Sequence, residues 1–320
     1  MNRRDFLATA AATPFALAAA PALAVRPGSR LALVTADLES RIVAYDVATG
    51  RVARHIETLA GPKSIETVGD GTTALVAHTA LGAISLVDTA RLRVRAVLHG
   101  FGEPRYTAAA PDGRDAYVTD AKRGEVVTID IPRARVVSRT AVGARARHLA
   151  VDPSGERLWT ALGFSAPLVV VLDLTDLVRP RVSAKIVPPF PAHDVVFAPN
   201  GERVWVSSGN ERRLAIYDAD TRRPLFTLAA GPPPQHITFS SDAAYVTSDD
   251  AVRVHALDDG RLLRETPVPA GSYNVTHGAG RVVTPSLERG TLSVLDEQGR
   301  LLAHPTIARA AHDACFVLKA

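Results

Sequence analysis

Four segments of this chain share one plan: APDGRDAYVTD (110–120), DPSGERLWTAL (152–162), APNGERVWVSS (198–208) and SSDAAYVTSDD (240–250), a little over 40 residues apart. Each couples a turn to an alternating apolar strand, and each is followed by a second run ending in an acidic turn: GEVVTIDIPRAR, LVVVLDLTD, RLAIYDADTRR and VRVHALDDGR. A third run then follows. Further copies, LALVTADLESRIVAYDVATGR, TTALVAHTALGAISLVDTARLR and RVVTPSLERGTLSVLDEQGR, bring the units to seven. A repeat of this length constrains the fold strongly, because a unit that cannot bury its own apolar faces must stack against its copies.

Every unit reads as short strands rich in Val, Leu, Ile and Thr, divided by Asp-Gly, Asn-Gly or Ser-Gly turns, with no helical periodicity after residue 24. Four-stranded units at this period predict an all-β fold, a seven-bladed β-propeller over residues 25–320. Trp159 and Trp205 occupy the repeat position of Tyr117 and Tyr245, as residues packed between blades would. The strand before each Gly turn (HLAVDPSG, HDVVFAPNG, HITFSSDA) is expected to be innermost, lining a central channel. The first unit begins with a second strand, LALVTAD, so the C-terminal strand HDACFVL is expected to complete the first blade and close the ring.

Residues 1–24, MNRRDFLATAAATPFALAAAPALA, have paired arginines, a short apolar run and a small-residue ending, the layout of a cleaved export signal. The run is interrupted by Pro14 and Pro21 and is too short to span a bilayer. No cysteine follows it, so neither a membrane anchor nor a lipoprotein is expected. RRDFL resembles the twin-arginine signal, which implies a periplasmic protein exported already folded. The formal charge is +4, of which the signal carries +1, and the arginines are scattered. With no aromatic-basic stripe, nucleic acid is not an expected partner, and the chain reads as a monomer. The single cysteine, Cys315, has no disulfide partner and lies in an apolar strand.

YVTD (117–120), YVTS (245–248) and RVVTPSLERGTLSVLDEQGRLLAH resemble the YVTN-type repeat family of bacterial periplasmic and surface propellers, over essentially all of residues 31–320. The resemblance implies a seven-bladed propeller of the amine-dehydrogenase-like superfamily, which includes quinoprotein subunits and accessory proteins of redox enzymes. RHLAVDPSGERLW (147–159) also looks like a segment of the bacterial lactonase family, although FSSDAAYVTSDD departs from that family's later Ser-Pro-Asp-Gly-Arg run.

In a propeller, the loops that meet at one mouth of the channel concentrate function. Aligned inner strands put Lys63 and Ser64, Arg105 and Tyr106, Arg147 and His148, His193 and Asp194, Gln235 and His236, Ser272 and Tyr273, and His312 and Asp313 there. His78, Asp120, Lys122, Asn210, Asp249 and Glu288 are expected in the other loops of that face. Two readings compete. The residues are polar simply because they meet a wet channel, or they converge on a ligand.

The second reading takes His193, His236, His312, Asp194 and Asp313 as ligands to one divalent metal ion, since imidazole with carboxylate suits zinc, copper or iron. Alternation along a strand opposes His193 and Asp194 facing the same ion. Lys63, Arg105, Tyr106, Arg147, His148 and Tyr273 are the expected contacts of a small anionic ligand, because guanidinium groups grip carboxylate or phosphate oxygens in pairs. Proline-rich approaches, PPFPAHD and GPPPQHI, are expected to hold His193 and His236 in place. The function expected is a periplasmic binding or accessory protein for such a ligand, a metal-containing cofactor or a redox partner protein. The alternative is a lactonase-like or metal-dependent hydrolase with His148 or His236 as general base, or ring histidines as metal ligands, and Arg105 or Arg147 on an oxyanion. Cys-x-x-Cys-His, Gly-x-Ser-x-Gly and phosphate-binding Gly-rich loops are all missing.

Overall fold

A computed structural model describes residues 30–317 apart from 69–70, 164–165 and 178. The export signal expected over residues 1–24 lies outside them. Among the described residues twenty-eight strands, β1 to β28 in chain order, form seven four-stranded antiparallel sheets, so the chain is a seven-bladed β-propeller. Blade 1 holds β1 (Leu31–Ala36), β2 (Arg41–Asp46) and β3 (Arg51–Glu57), and its fourth strand is β28 (Ala311–Phe316). The inner strands of blades 2 to 7 are β4 (Ile65–Thr67), β8 (Pro104–Ala109), β12 (Leu149–Val151), β16 (Asp194–Phe197), β20 (Ile237–Phe239) and β24 (Thr276–Gly278). No helix among the described residues is long and apolar enough to cross a membrane.

The near-continuous apolar strands follow from burial on both faces. All six residues of β1 are buried, and they alternate between two cores: Leu31 and Leu33 face blade 2, while Ala32 and Val34 face blade 7. Seven such hydrophobic clusters fill the seven gaps between blades. Trp159 of blade 4 packs on Val195 and Phe197 of blade 5, and Trp205 of blade 5 packs on Ile237 and Val246 of blade 6. The equivalent Tyr117 and Tyr245 fill the gaps to blades 4 and 7. The outermost strands cover nothing beyond themselves, so β19 (Pro224–Ala229) and β23 (Leu262–Pro267) are largely exposed.

The acidic turns have a local cause. At the end of a third strand the Asp carboxylate accepts hydrogen bonds from backbone N–H groups two to four residues on: Asp46 from Ala48, Asp88 from Arg91, Asp130 from Arg133, Asp218 from Thr221 and Asp296 from Arg300. The Gly turns meet a backbone need, since Gly113, Gly155 and Gly201 have φ of 71°, 78° and 74°.

The ring closes through β28, which runs antiparallel to β1 with Leu33 opposite Cys315 and Val34 opposite Ala314. Cys315 is buried there in the gap between blades 1 and 2. Phe316 covers Gly278 of blade 7, where an added Cβ would lie 2.5 Å from its ring.

Candidate functional site at the channel mouth

Each inner strand enters the channel with two residues: a rim residue, then a neck residue one step deeper. Hydrogen bonds fix their equivalence across blades. The second-strand Thr35, Ser207 and Thr247 each donate a hydroxyl to the rim carbonyl of the next blade, those of Lys63, Gln235 and Tyr273. The rim is therefore Lys63, Arg105, Arg147, His193, Gln235, Tyr273 and His312. The neck is Ser64, Tyr106, His148, Asp194, His236, Asn274 and Asp313.

Blade 7 corrects the sequence alignment. Its pair is Tyr273 and Asn274, whereas Ser272 is fully buried and donates its hydroxyl to Pro269 O at 2.7 Å. Blades 2 to 5 place a turn glycine (Gly71, Gly113, Gly155, Gly201) seven residues after the neck residue, but blade 7 has a tighter Ala279-Gly280 turn one residue nearer. Two further expectations are corrected. His78 is a core residue, bonded to Ala60 O and Ser85 Oγ. Asp120 is fully buried and accepts from the Gly102 and Glu103 backbone N–H groups.

Blades 4, 5 and 6 bring three histidines together. One ring nitrogen from each of His148, His193 and His236 lies within 4.8 Å of the other two. The ring centroids of His148 stand 4.6 Å from His193 and 4.4 Å from His236, and the Tyr106 ring lies tilted against His148 at 3.5 Å. His148 Nδ1 is 2.5 Å from His193 O, so it carries the proton, and Nε2 keeps a lone pair. That Nε2 is buried and has no hydrogen-bond partner among the described residues. Burial and the neighbouring His236 and His193 hold the His148 ring well below the ordinary histidine range. Burial with the Arg147 charge pushes His193 down to about 3, and burial with His193 lowers His236 strongly. All three are neutral imidazoles, the form whose ring nitrogen coordinates a metal.

Two glycines seat the rim side chains, and neither was singled out in the sequence. Gly163 and Gly209 occupy equivalent loop positions with φ of 71°. A Cβ on Gly163 would sit 2.7 Å from Arg147 Cδ, and one on Gly209 would sit 2.6 Å from His193 Cβ and Cγ. Arg147 in turn reaches the Tyr106 hydroxyl at 3.4 Å.

The opposite arc is ionic. Asp37, from the loop after β1, meets Lys63 Nζ at 2.6 Å and His312 Nδ1 at 3.1 Å. Burial alone would raise the Asp37 carboxyl, but hydrogen bonds and charge from His312 and Lys63 lower it. His312 thus shares the 240 Å³ mouth cavity with His193 and His236 but is engaged elsewhere. Asp194 and Asp313 also stand apart from a metal role. Each carboxylate accepts one bond from the next residue's backbone N–H and one from the neighbouring blade, Ile237 N for Asp194 and Ile65 N for Asp313, both at 3.0 Å. They staple adjacent blades. Arg105 pairs with Glu103 and borders a side pocket with Lys122, Arg145 and Arg147.

Below the neck the channel widens to about 380 Å³, with Glu66 and Thr238 among its walls. Burial first and the Asp313 carboxyl second push Glu66 up to about 8. Between the ordinary value near 4.5 and 8, the native state therefore holds a proton that the unfolded chain has lost, and stability falls as pH rises. Glu66→Gln should melt with the parent near pH 4.5 and above it at pH 8, in thermal scans across that window. Identical pH profiles would show that Glu66 ionises freely.

No family model matches the chain, and no curated protein matches it. Solved structures do. A functionally unknown protein from Desulfotomaculum acetoxidans superposes with a TM-score of 0.79 at 13% identity, over 90% of this chain and 99% of that one. Kuenenia stuttgartiensis hydrazine synthase gives 0.72 at 17%, over 85% and 93%. The dihydro-heme d1 dehydrogenase NirN in complex with DHE gives 0.66 at 15%, over 87% and 64%. At these identities the likeness shows the propeller fold alone.

Proposed function

We propose that this chain is a YVTN-type binding propeller, exported folded to the periplasm, that holds a small anionic organic ligand at its channel mouth in the service of a redox enzyme. One observation carries the reading. His193, His236 and the Tyr106 ring line the mouth cavity together with the Arg147 guanidinium, and the ion-paired Lys63 and Arg105 border the pocket beside it. An anion seated there exchanges its water for charged donors in a partly enclosed site, and aromatic walls cover its organic part. The redox setting draws support from the neighbours: one is a hydrazine synthase, and another a dehydrogenase in complex with DHE.

The test is calorimetric titration of the full-length protein with citrate, succinate and inorganic phosphate. A charge-assisted hydrogen bond is worth roughly 1.5–3 kcal/mol, so Arg147→Gln should weaken the best of them by about 10- to 100-fold. Arg91→Gln, on an outer turn, should leave it unchanged. No heat with any of the three, or equal losses in both variants, would sink the reading.

A further inference from the structure

We infer that His148, His193 and His236 form a three-histidine site for one divalent transition metal ion of the zinc, copper or nickel class, with its open coordination positions facing the mouth. The inference rests on the binding role above and deepens it, since an anion would then bridge the metal and Arg147.

The donors come from three consecutive blades and two depths, the neck in blades 4 and 6 and the rim in blade 5. That arrangement escapes the alternation that keeps His193 and Asp194 from facing one ion. Two of the three residues are held from behind. The His148 ring is held by its Nδ1–H bond to a backbone carbonyl, the usual outer partner of a metal-bound imidazole, which turns the lone pair of Nε2 forward. Only 3% of this residue is exposed, and Nε2 meets no hydrogen-bond partner among the described residues. The His193 ring rests on Gly209. The His236 Nδ1 stands 3.8 Å from Asp194 Oδ2.

Zinc–imidazole bonds are about 2.0–2.1 Å long, so two donors on one ion stand roughly 3.4 Å apart at a tetrahedral angle. Nitrogens already within 4.8 Å need only small ring rotations to close on a cation. The chemistry of the set decides the class. Three neutral nitrogens without a carboxylate suit zinc, copper or nickel and disfavour calcium or magnesium, which take oxygen ligands. Three ligands also leave a tetrahedral ion one position short, and the guanidinium of Arg147 beside it makes an anion the fitting fourth ligand.

The experiment uses the full-length protein, stripped with chelator and dialysed, then titrated separately with Zn²⁺, Cu²⁺ and Ni²⁺ by calorimetry. Bound metal is counted by mass spectrometry, and copper hyperfine structure is read by electron paramagnetic resonance. One equivalent should bind, with nitrogen couplings in the copper spectrum. His148→Gln, His193→Gln and His236→Gln should each weaken binding by about 100-fold or more, while His277→Gln should leave it unchanged. Thermal melts show whether each variant is folded, and the copper spectrum of the unmodified protein decides the matter if one is not. No binding, affinity unaltered in folded His148→Gln, or a copper spectrum without nitrogen coupling overturns the metal site. Repeating the citrate, succinate and phosphate titrations in chelator separates the two ideas. Anion binding that persists without metal binding leaves the binding role standing alone, whereas metal binding with no anion uptake removes the role and keeps the site.

Discussion

A chain ended after Ala310 should lose its cooperative thermal transition and bind a hydrophobic dye at temperatures where the full chain is native. The deletion takes β28, and with it Ala311, Ala314 and Phe316 from the core between blades 7 and 1, and Cys315 and Val317 from the core between blades 1 and 2. It also strips β1 of the hydrogen bonds on one edge, leaving an apolar strand open to pairing with other chains. Two of seven interfaces fail together, and a ring with one gap no longer holds its remaining blades in register. A graded version is Phe316→Ala, which empties the space over Gly278 and should cost about 3–5 kcal/mol in urea unfolding. A truncated protein that melts as sharply as the parent would show that blade 1 stands without its inner strand.

The second large effect is expected at the blade 5–6 interface. Trp205→Ala should destabilise by about 3–5 kcal/mol, because the indole is fully buried among Ile216, Ile237, Ala244 and Val246, and sheets held on both sides collapse poorly into the space. Trp205→Phe should recover most of that loss. The indole Nε1 is buried without a hydrogen-bond partner among the described residues, so phenylalanine keeps much of the packing and removes an unpaired donor. Trp159 has the same burial and the same unpartnered Nε1, facing Phe197 and Tyr217 at 6.1 and 6.0 Å, and should behave alike. Urea titrations read at two wavelengths would measure all four variants. Similar costs for the Ala and Phe variants would mean that the loss lies in the donor and not in packing.

The fold was legible because repetition, alternation and Gly turns all act within one unit of chain. Counting from a turn even located the rim and neck residues in most blades. It failed at blade 7, where the tight Ala279-Gly280 turn moved the neck from Tyr273 to Asn274. The site was only partly legible for a related reason. Which histidines meet depends on the tilt of one blade against the next, and no spacing within a repeat encodes that angle. His312 and His193 look interchangeable as rim residues, yet Asp37 draws the first aside while the second, packed on Gly209, stands beside His148 and His236. Gly163 and Gly209 passed unnoticed because a glycine in a propeller loop usually serves a turn. Here each also vacates the volume that a rim side chain occupies.

The closing strand also sets an order of events during synthesis. Blades 2 to 7 can each form from a continuous run of chain, so the elements carrying His148, His193 and His236 leave the ribosome with all four strands of their own sheets. Blade 1 waits for β28, and until that strand emerges the apolar faces of Leu31, Leu33 and Val34 stay uncovered by it. The ring around the mouth is therefore complete only once β28 has paired with β1.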